Sequence, residues 1–330
     1  MKNKNILVTG GLGFIGSHFI ELLYKKCKNC KITIIDSYAY CVSKKTEDLL
    51  WNMYKNSSNE LDIIYQSISD FKLDKEYDYI VNFAAESHVD NSIKAGDIFI
   101  DSNYVGVYEL LKQLSDNTRF LQVGTDEVYG SLQFNSQPSE EYSPLDPSSI
   151  YSATKAGADL LALSFNRTYK KDVIITRCTN NFGPRQFSEK FIPVVINKVR
   201  NNKKIPVYGK GANMRQWIYV KDHCEKIFNV LCFGKAGEIY NLAPDYESEY
   251  SNLEIVKLIL SELNASENLI SYVEDRKGHD LRYSLKDSNY RSMMIMLGEQ
   301  LDLPGTEKTF ADDLRYTIMW YSENENWWSK

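Results

Sequence analysis

The sequence predicts an α/β fold: a doubly wound parallel sheet, joined to a smaller, mixed α/β C-terminal lobe. Three observations carry that expectation. Short, continuous apolar runs alternate with segments of helical period through the first half of the chain. A glycine-rich turn sits where the first run meets the first helical segment. Beyond residue 180 the alternation becomes irregular. Uninterrupted apolar strands belong to sheets covered on both faces, because a sheet with one wet face alternates apolar and polar residues.

Taken in order, Asn5–Thr9 is the first apolar run and predicts a strand. Phe14, Ile15, Phe19, Leu22 and Leu23 then share one side of a helix. Lys31–Asp36 predicts the second strand, and 61–65, 79–83, 120–123 and 172–177 the later ones. Helical periodicity recurs over 97–114 and 151–169. In the later part 206–208 and 238–242 read as short strands and 253–263 as a helix. The stretch 136–149, with three prolines and several serines, reads as a loop. The expected division is residues 1–180 for the sheet domain and mainly 181–330 for the second lobe, with some late segments returning to the first.

Composition narrows the function. A chain of 330 residues is ample for two such units. A net charge of −5 without a strong basic block argues against a nucleic-acid surface. The densest basic run, Arg200-Asn201-Asn202-Lys203-Lys204, reads as the solvated end of a helix. No apolar segment approaches the roughly 20 residues of a membrane span. The N-terminus runs directly into a strand, so no secretory leader is expected. Cys27 and Cys30 have redox or zinc spacing, but the other four cysteines and the four histidines are scattered. No metal site is therefore expected, and reduced thiols in a cytoplasmic compartment are the simpler reading.

Three motifs carry chemistry. The turn Gly10-Gly11-Leu12-Gly13-Phe14-Ile15-Gly16 holds both G-x-G-x-x-G and G-x-x-G-x-x-G spacing between the first strand and first helix. Glycines there let the backbone approach a pyrophosphate, and the helix N-terminus adds its amides and dipole. Asp36 ends the second strand twenty residues after Gly16. A carboxylate at that point accepts hydrogen bonds from ribose hydroxyls and repels a 2′-phosphate, which favours NAD over NADP on a Rossmann-type sheet. Tyr38, Tyr40 and Cys41 follow and could flank the adenosine. Second, Tyr151 and Lys155 stand one helical turn apart. A neighbouring ammonium is expected to lower the phenol's pKa, so that it takes a proton from a sugar hydroxyl during hydride transfer. Third, Thr125-Asp126-Glu127 ends the apolar run 120–123. Adjacent carboxylates repel, so their placement there calls for a purpose. Two carboxyls with separated pKa values provide one acid and one base, the pair that elimination of water requires.

Together these residues resemble the extended short-chain dehydrogenase/reductase family, and within it the nucleoside-diphosphate-glucose 4,6-dehydratases. The likeness covers nearly the whole chain. It runs through residues 9–17, 84–90, 125–130, 151–155, 180–184, 189–193, 208–211 with Arg215, and 275–280. It implies oxidation of the sugar at C4, loss of water across C5 and C6, and return of the hydride to C6, with tightly bound NAD. Asp126 is implied as the acid at the C6 hydroxyl and Glu127 as the base at C5. Thr125 is implied to bind the C4 hydroxyl with Tyr151, and Lys155 to hold the nicotinamide ribose. The same carry-over puts Gly10, Gly13, Phe14, Ile15, Gly16, Asp36, Ser67, Ile68, Ala84, Ala85, Ser102 and Asn181 on the cofactor side. It puts Ser87, Asn180, Lys190, Phe191, Ile192, Pro206, Tyr208, Arg215, Asn252, His279 and Asp280 on the substrate side. The substrate is a dTDP- or UDP-glucose, and a homodimer is implied, with apolar faces near 105–114 and 160–169 as candidates for its interface. Related 4-epimerases and decarboxylases usually lack one or both of the paired acids, and cofactor-binding sensors usually lose the tyrosine or lysine. Departures fall at Ala39-Tyr40-Cys41-Val42-Ser43, at Ser67, and around Leu297-Gly298-Glu299. Trp320, Tyr321, Trp327 and Trp328 are expected to pack at a domain edge.

Overall fold

A computed structural model describes residues 1–275, 279–299 and 308–327. Residues 276–278 of the 275–280 motif, and Trp328, lie outside them. Strands β1 (Asn5–Thr9), β2 (Lys31–Asp36), β3 (Glu60–Tyr65), β4 (Tyr79–Asn82), β5 (Arg119–Thr125) and β6 (Asp172–Cys178) fall where the apolar runs predict. With β10 (Ile239–Leu242) they form a seven-stranded sheet in the order β3-β2-β1-β4-β5-β6-β10, and every neighbouring pair is parallel. The chain leaves β1 to one side for β2 and β3, then returns to the other side for β4. That reversal opens a crevice beyond the carboxyl ends of β1 and β4.

Strand side chains alternate between two apolar layers. Ile6, Val8, Ile32, Ile34 and Val81 pack on one face with Phe19, Leu23 and Ile227. Leu7, Ile35, Ile80 and Phe120 pack on the other with Leu110, Ala158 and Ala162. Helices α1 (Phe14–Lys26) and α2 (Lys44–Tyr54) cover the first face. The second is covered by α6 (Ile150–Tyr169) and a helical stretch made of α3 (Val89–Lys94), α4 (Gly96–Ile100), a π-turn (Asp101–Val105) and α5 (Gly106–Leu111). The uniform helix expected over 97–114 is thus interrupted. At the π-turn the buried Asn103 turns inward, where its amide donates to the Glu86 carbonyl (3.0 Å) and Thr154 Oγ1 (3.1 Å). An extra residue per turn is how a helix aims one side chain off its regular face.

The later elements divide. Strands β7 (Asn180–Phe182), β9 (Met214–Tyr219), β11 (Glu249–Ser251) and β13 (Arg282–Tyr283) form a small sheet, while β8 (Ile205–Tyr208) pairs with β12 (Ile270–Val273). Helices α7 (Phe191–Arg200), α9 (Asn252–Glu262) and α11 (Phe310–Glu323) pack together beside them. In contrast, α8 (Val220–Phe233) lies on α1, and β10 (Ile239–Leu242) pairs with β6. Helix α10 (Ser288–Met296) packs on β10. The irregular order after residue 180 reflects this double crossing of the chain between sheets. No helix among the described residues is long and apolar enough to cross a membrane.

Candidate active site

The crevice beyond β1 and β4 is a cavity of about 350 Å³. Gly10 has φ +64°, and a Cβ there would lie 2.8 Å from the Ala84 amide nitrogen. A Cβ on Gly16 would lie 2.2 Å from the Gly10 carbonyl oxygen. The glycines are therefore required by the close approach of β1, α1 and the segment after β4. Helix α1 starts with no side-chain cap and no acid in its first turn, which leaves its amides and positive dipole end to the cavity. Gly16→Ala is expected to abolish cofactor binding, measured by titration, because the clash is with backbone that cannot yield without opening the turn.

At the end of β2, Asp36 Oδ2 accepts from the Leu12 amide (3.0 Å) and Oδ1 from the Tyr38 amide (2.9 Å). Burial pushes this carboxyl upward against those two bonds. Each oxygen keeps a second lone pair for a ribose hydroxyl. The cationic side chains that line the cavity, Lys155 and Lys190, are committed elsewhere, Lys155 Nζ to the Val123 carbonyl (2.6 Å) and Lys190 Nζ to that of Ser87 (2.9 Å). Asp36 itself, at the end of β2, would repel a 2′-phosphate.

Strand β5 runs through Thr125 and gives way to a 3-10 turn, Asp126–Tyr129. Thr125 makes the change of direction. Its Oγ1 caps the turn by accepting from the Glu127 amide (3.3 Å) and donates to Asp126 Oδ1 (3.2 Å). Asp126 is 4% exposed, and its Oδ2 finds no hydrogen-bond partner among the described residues. Burial, then the neighbouring Glu127 charge, push its carboxyl up to about 8, against the pull of Arg215. At neutral pH Asp126 is thus a carboxylic acid, while Glu127, half-buried, faces the cavity. An orphaned buried oxygen beside an open cavity is a group arranged for a ligand.

Tyr151 enters from the first turn of α6, whose N-terminus is closed by a Ser149/Ser152 capping box. The expected acidic phenol is not what this geometry produces. Burial is the chief cause, and the charges of Glu127 and Asp126 add to it, holding Tyr151 well above the ordinary tyrosine value against the Thr125 hydroxyl. Lys155 cannot offset this alone, since its ammonium is itself disfavoured by burial and points to the Val123 carbonyl.

All twelve residues placed on the cofactor side by sequence, and all five catalytic ones, line this cavity. Of the substrate set, Ser87, Thr125, Asn180 and Lys190 line it too. The others lie apart. The Phe191 ring stacks on Trp217 at 6.2 Å, and the Ile192 side chain is buried in the core. Pro206 and Tyr208 are on β8, with Tyr208 edge-on to His279 at 6.1 Å. Asn252 begins α9. Arg215 stacks on Tyr283 at 4.5 Å and donates to the Asp280 carbonyl (3.1 Å). The Asp280 carboxylate accepts from Ser148 (2.7 Å) and Tyr283. Because Arg215 perturbs Asp126, this second group adjoins the catalytic turn.

Several contributors escaped the sequence reading. His223 is fully buried on α8 with Nδ1 2.8 Å from Asn181 Oδ1. Burial pushes its imidazole down to about 3, so it is neutral and its Nδ1–H donates. That fixes the Asn181 amide, whose nitrogen donates to Cys178 Sγ (3.3 Å) and the Thr179 carbonyl (3.0 Å). Arg177 and Asp159 form a buried pair (2.8 Å) behind β5, and Arg177 also holds the Tyr129 hydroxyl (2.9 Å). Only the mid-strand arginine and mid-helix aspartate, both costly to bury unpaired, signalled it. Cys27 and Cys30 are free and buried, burial pushing the Cys27 thiol up to about 12. No group of metal-binding side chains occurs among the described residues.

A glycine turn at the sheet's reversal and a Tyr-x-x-x-Lys helix facing it define a dinucleotide-dependent enzyme of the extended short-chain dehydrogenase/reductase class. A model of the GDP-mannose 4,6 dehydratase family matches residues 7–291, and the chain belongs to that family. It is 40% identical to a dTDP-glucose 4,6-dehydratase of Actinoplanes sp., covering 98% of this chain and 99% of that one. The dTDP-glucose 4,6-dehydratase DesIV of Streptomyces venezuelae, solved with NAD and TYD bound, superposes with a TM-score of 0.88 at 40% identity, covering 98% and 99%. A UDP-glucose 4-epimerase of Thermotoga maritima reaches 0.81 at 21% identity, covering 97% and 99%. That likeness is one of fold alone.

Proposed function

We propose that this protein is an NAD-dependent 4,6-dehydratase acting on a nucleoside-diphosphate glucose, dTDP-glucose being the substrate its relatives name. The observation that carries the reading is Asp126, buried with one carboxyl oxygen unpartnered among the described residues, set beside Glu127 in the cavity at the end of β5. An epimerase needs only the tyrosine and lysine, and a sensor needs neither. A buried acid paired with a cavity-facing carboxylate suits elimination of water.

The glycine turn with the first amides of α1 would hold the NAD pyrophosphate, Asp36 the adenosine ribose, and Lys155 with Asn181 the nicotinamide side. NAD, when bound, supplies the hydride acceptor and a positive charge in this cavity. That charge bears on Tyr151, whose phenol must lose its proton more readily than burial alone allows. Tyr151 Oη takes the C4 hydroxyl proton with Thr125 Oγ1 orienting that hydroxyl. Glu127 removes the C5 proton, made acidic by the C4 ketone. Asp126 gives its proton to the departing C6 hydroxyl, and Glu127 returns a proton to C5, so that with the hydride that bound NAD would give back to C6 the net change is loss of one water. Ser87, Asn180 and Lys190 line the sugar end, while Arg215, with Asn252 and His279, reads the diphosphate and nucleoside. A guanidinium suits phosphate oxygens because its donors fork onto two at once. Residues 1–180 would then be mainly the cofactor half and 181–330 mainly the sugar-nucleotide half, with α8 and β10 returning to the first. Mass spectrometry of dTDP-glucose incubated with the protein tests this: the account expects loss of one water, and an epimer of unchanged mass would refute it. UDP-glucose in parallel identifies the nucleotide by the faster turnover.

The active unit is proposed to be a homodimer. Tyr104, Val105 and Tyr108 on one helix and Leu160 and Tyr169 on α6 are exposed apolar side chains on helices that pack against each other. Light scattering should give twice the chain mass for the wild type and the single mass for a Tyr108→Glu/Leu160→Glu double variant. All six cysteines are unpaired, which fits a reducing, cytoplasmic compartment.

A further inference from the structure

We infer that the C-terminal helix α11 and the residues after it set both walls of the cofactor cavity, with Tyr321 and Ser43 as positioning residues for NAD binding; this rests on the NAD reading above. One wall is the segment before α7. The Tyr321 hydroxyl, on the last turn of α11, donates to the Gln186 carbonyl. Gln186 lines the cavity, is 9% exposed, and its amide donates to the Asn181 carbonyl (3.0 Å), another cavity residue.

The opposite wall is the segment between β2 and α2, where Tyr40, Cys41 and Val42 line the cavity. Ser43 follows them at the N-cap position of α2, yet its side chain caps nothing. A serine there normally bonds the helix's own free amides, and giving that up forgoes a favourable contact. Instead the buried Ser43 hydroxyl donates to the Trp327 carbonyl (2.7 Å), and Lys45 donates to that of Asn326. The tail is pinned in its turn. Trp327 packs edge-on against Trp320 at 5.1 Å, and Arg200 holds both the Tyr321 carbonyl (2.9 Å) and Glu325.

The two walls also meet directly across the mouth. Tyr40 Oη donates to Glu189 (2.8 Å), and its ring meets Phe187 edge-on at 5.5 Å. One continuous piece of chain therefore grips both sides of the opening. Backbone carbonyls of the tail make the contacts to Ser43 and Lys45, whereas the grip on Gln186 is the Tyr321 side chain.

The test uses full-length Tyr321→Phe, Ser43→Ala and the control Ser43→Thr, which keeps the hydroxyl. Each is titrated with NAD calorimetrically and assayed at saturating NAD. Tyr321→Phe and Ser43→Ala should each raise the NAD dissociation constant about three- to tenfold, the loss of one buried hydrogen bond. Ser43→Thr should restore the wild-type constant, and kcat at saturating NAD should change less than twofold. The phenylalanine keeps its ring buried and the alanine loses one oxygen, so either variant reports if the other fails to fold. NAD constants equal to wild type in both variants would overturn the inference and leave the cofactor reading intact. Wild-type protein that binds no NAD would overturn both.

Discussion

Asp126→Asn is expected to lower kcat by about 10²–10⁴-fold, the range for removing a positioned proton donor. Asparagine matches the shape of the protonated carboxyl and keeps the acceptor for the Thr125 hydroxyl, but it has no proton to give the leaving C6 hydroxyl. The same variant should change stability in the opposite direction. The carboxyl's pKa is about 8 in the folded protein, against 3.8 when unperturbed. Between those values the folded state holds a proton that the unfolded state has released. Wild-type stability therefore falls as pH rises through that window, and the contribution is lost above about pH 8. The asparagine variant has nothing to ionise there. Its melting temperature relative to wild type should climb from pH 4 to pH 8 and then level, with a free-energy difference of several kcal/mol, at about 1.4 kcal/mol per pKa unit. Wild-type kcat should also decline on the alkaline side of pH 8, as the acid is titrated away. A variant that is slower but no more stable at pH 9 than wild type would mean that Asp126 is not buried as an acid.

The second large effect is at Tyr151. Tyr151→Phe removes one oxygen and leaves the ring against Phe99, 6.4 Å away in an edge-on packing. The kcat should fall by at least about 10²-fold, because the variant lacks the oxygen proposed to accept the C4 proton. NAD affinity should stay within a few-fold of wild type, since the cofactor's anchors are the glycine turn and Asp36. The phenol stands well above its ordinary value in this structure, with burial and the Glu127 charge opposing ionisation. Glu127→Gln should therefore lower that pKa, detectable as a shift of the tyrosinate absorbance to lower pH in NAD-free protein. An unchanged tyrosinate titration would show that the Glu127 charge does not reach the phenol.

What could be read from residues alone divides along physical lines. The six apolar strands and the glycine turn were legible because burial on both faces and backbone close approach each restrict residue type locally. Thr125, Asp126, Glu127, Tyr151 and Lys155 were legible because spacing and chemistry agree. The π-turn at Asn103 was not, because helical period survives one inserted residue. Helix α2 was missed because its buried face includes Glu47, made tolerable by Lys44 at 2.6 Å and the Tyr65 hydroxyl at 2.9 Å. The return of β10 to the main sheet is set by tertiary pairing that short-range pattern does not encode. The expected acidic phenol failed for a different reason: helical spacing places Lys155 one turn away but does not say where its ammonium points. Ile192, placed on the substrate side by its motif, has its side chain in the core, while Lys190 of the same motif lines the cavity.

The central claim is that Asp126 and Glu127 act as acid and base in an elimination across C5 and C6. The most direct measurement is turnover of dTDP-glucose in heavy water, with the product analysed by mass spectrometry and NMR. The account predicts loss of one water and a single solvent deuterium at C5, with Glu127→Gln forming no such product. Water loss without deuterium at C5, or a product of unchanged mass inverted at C4, would contradict it.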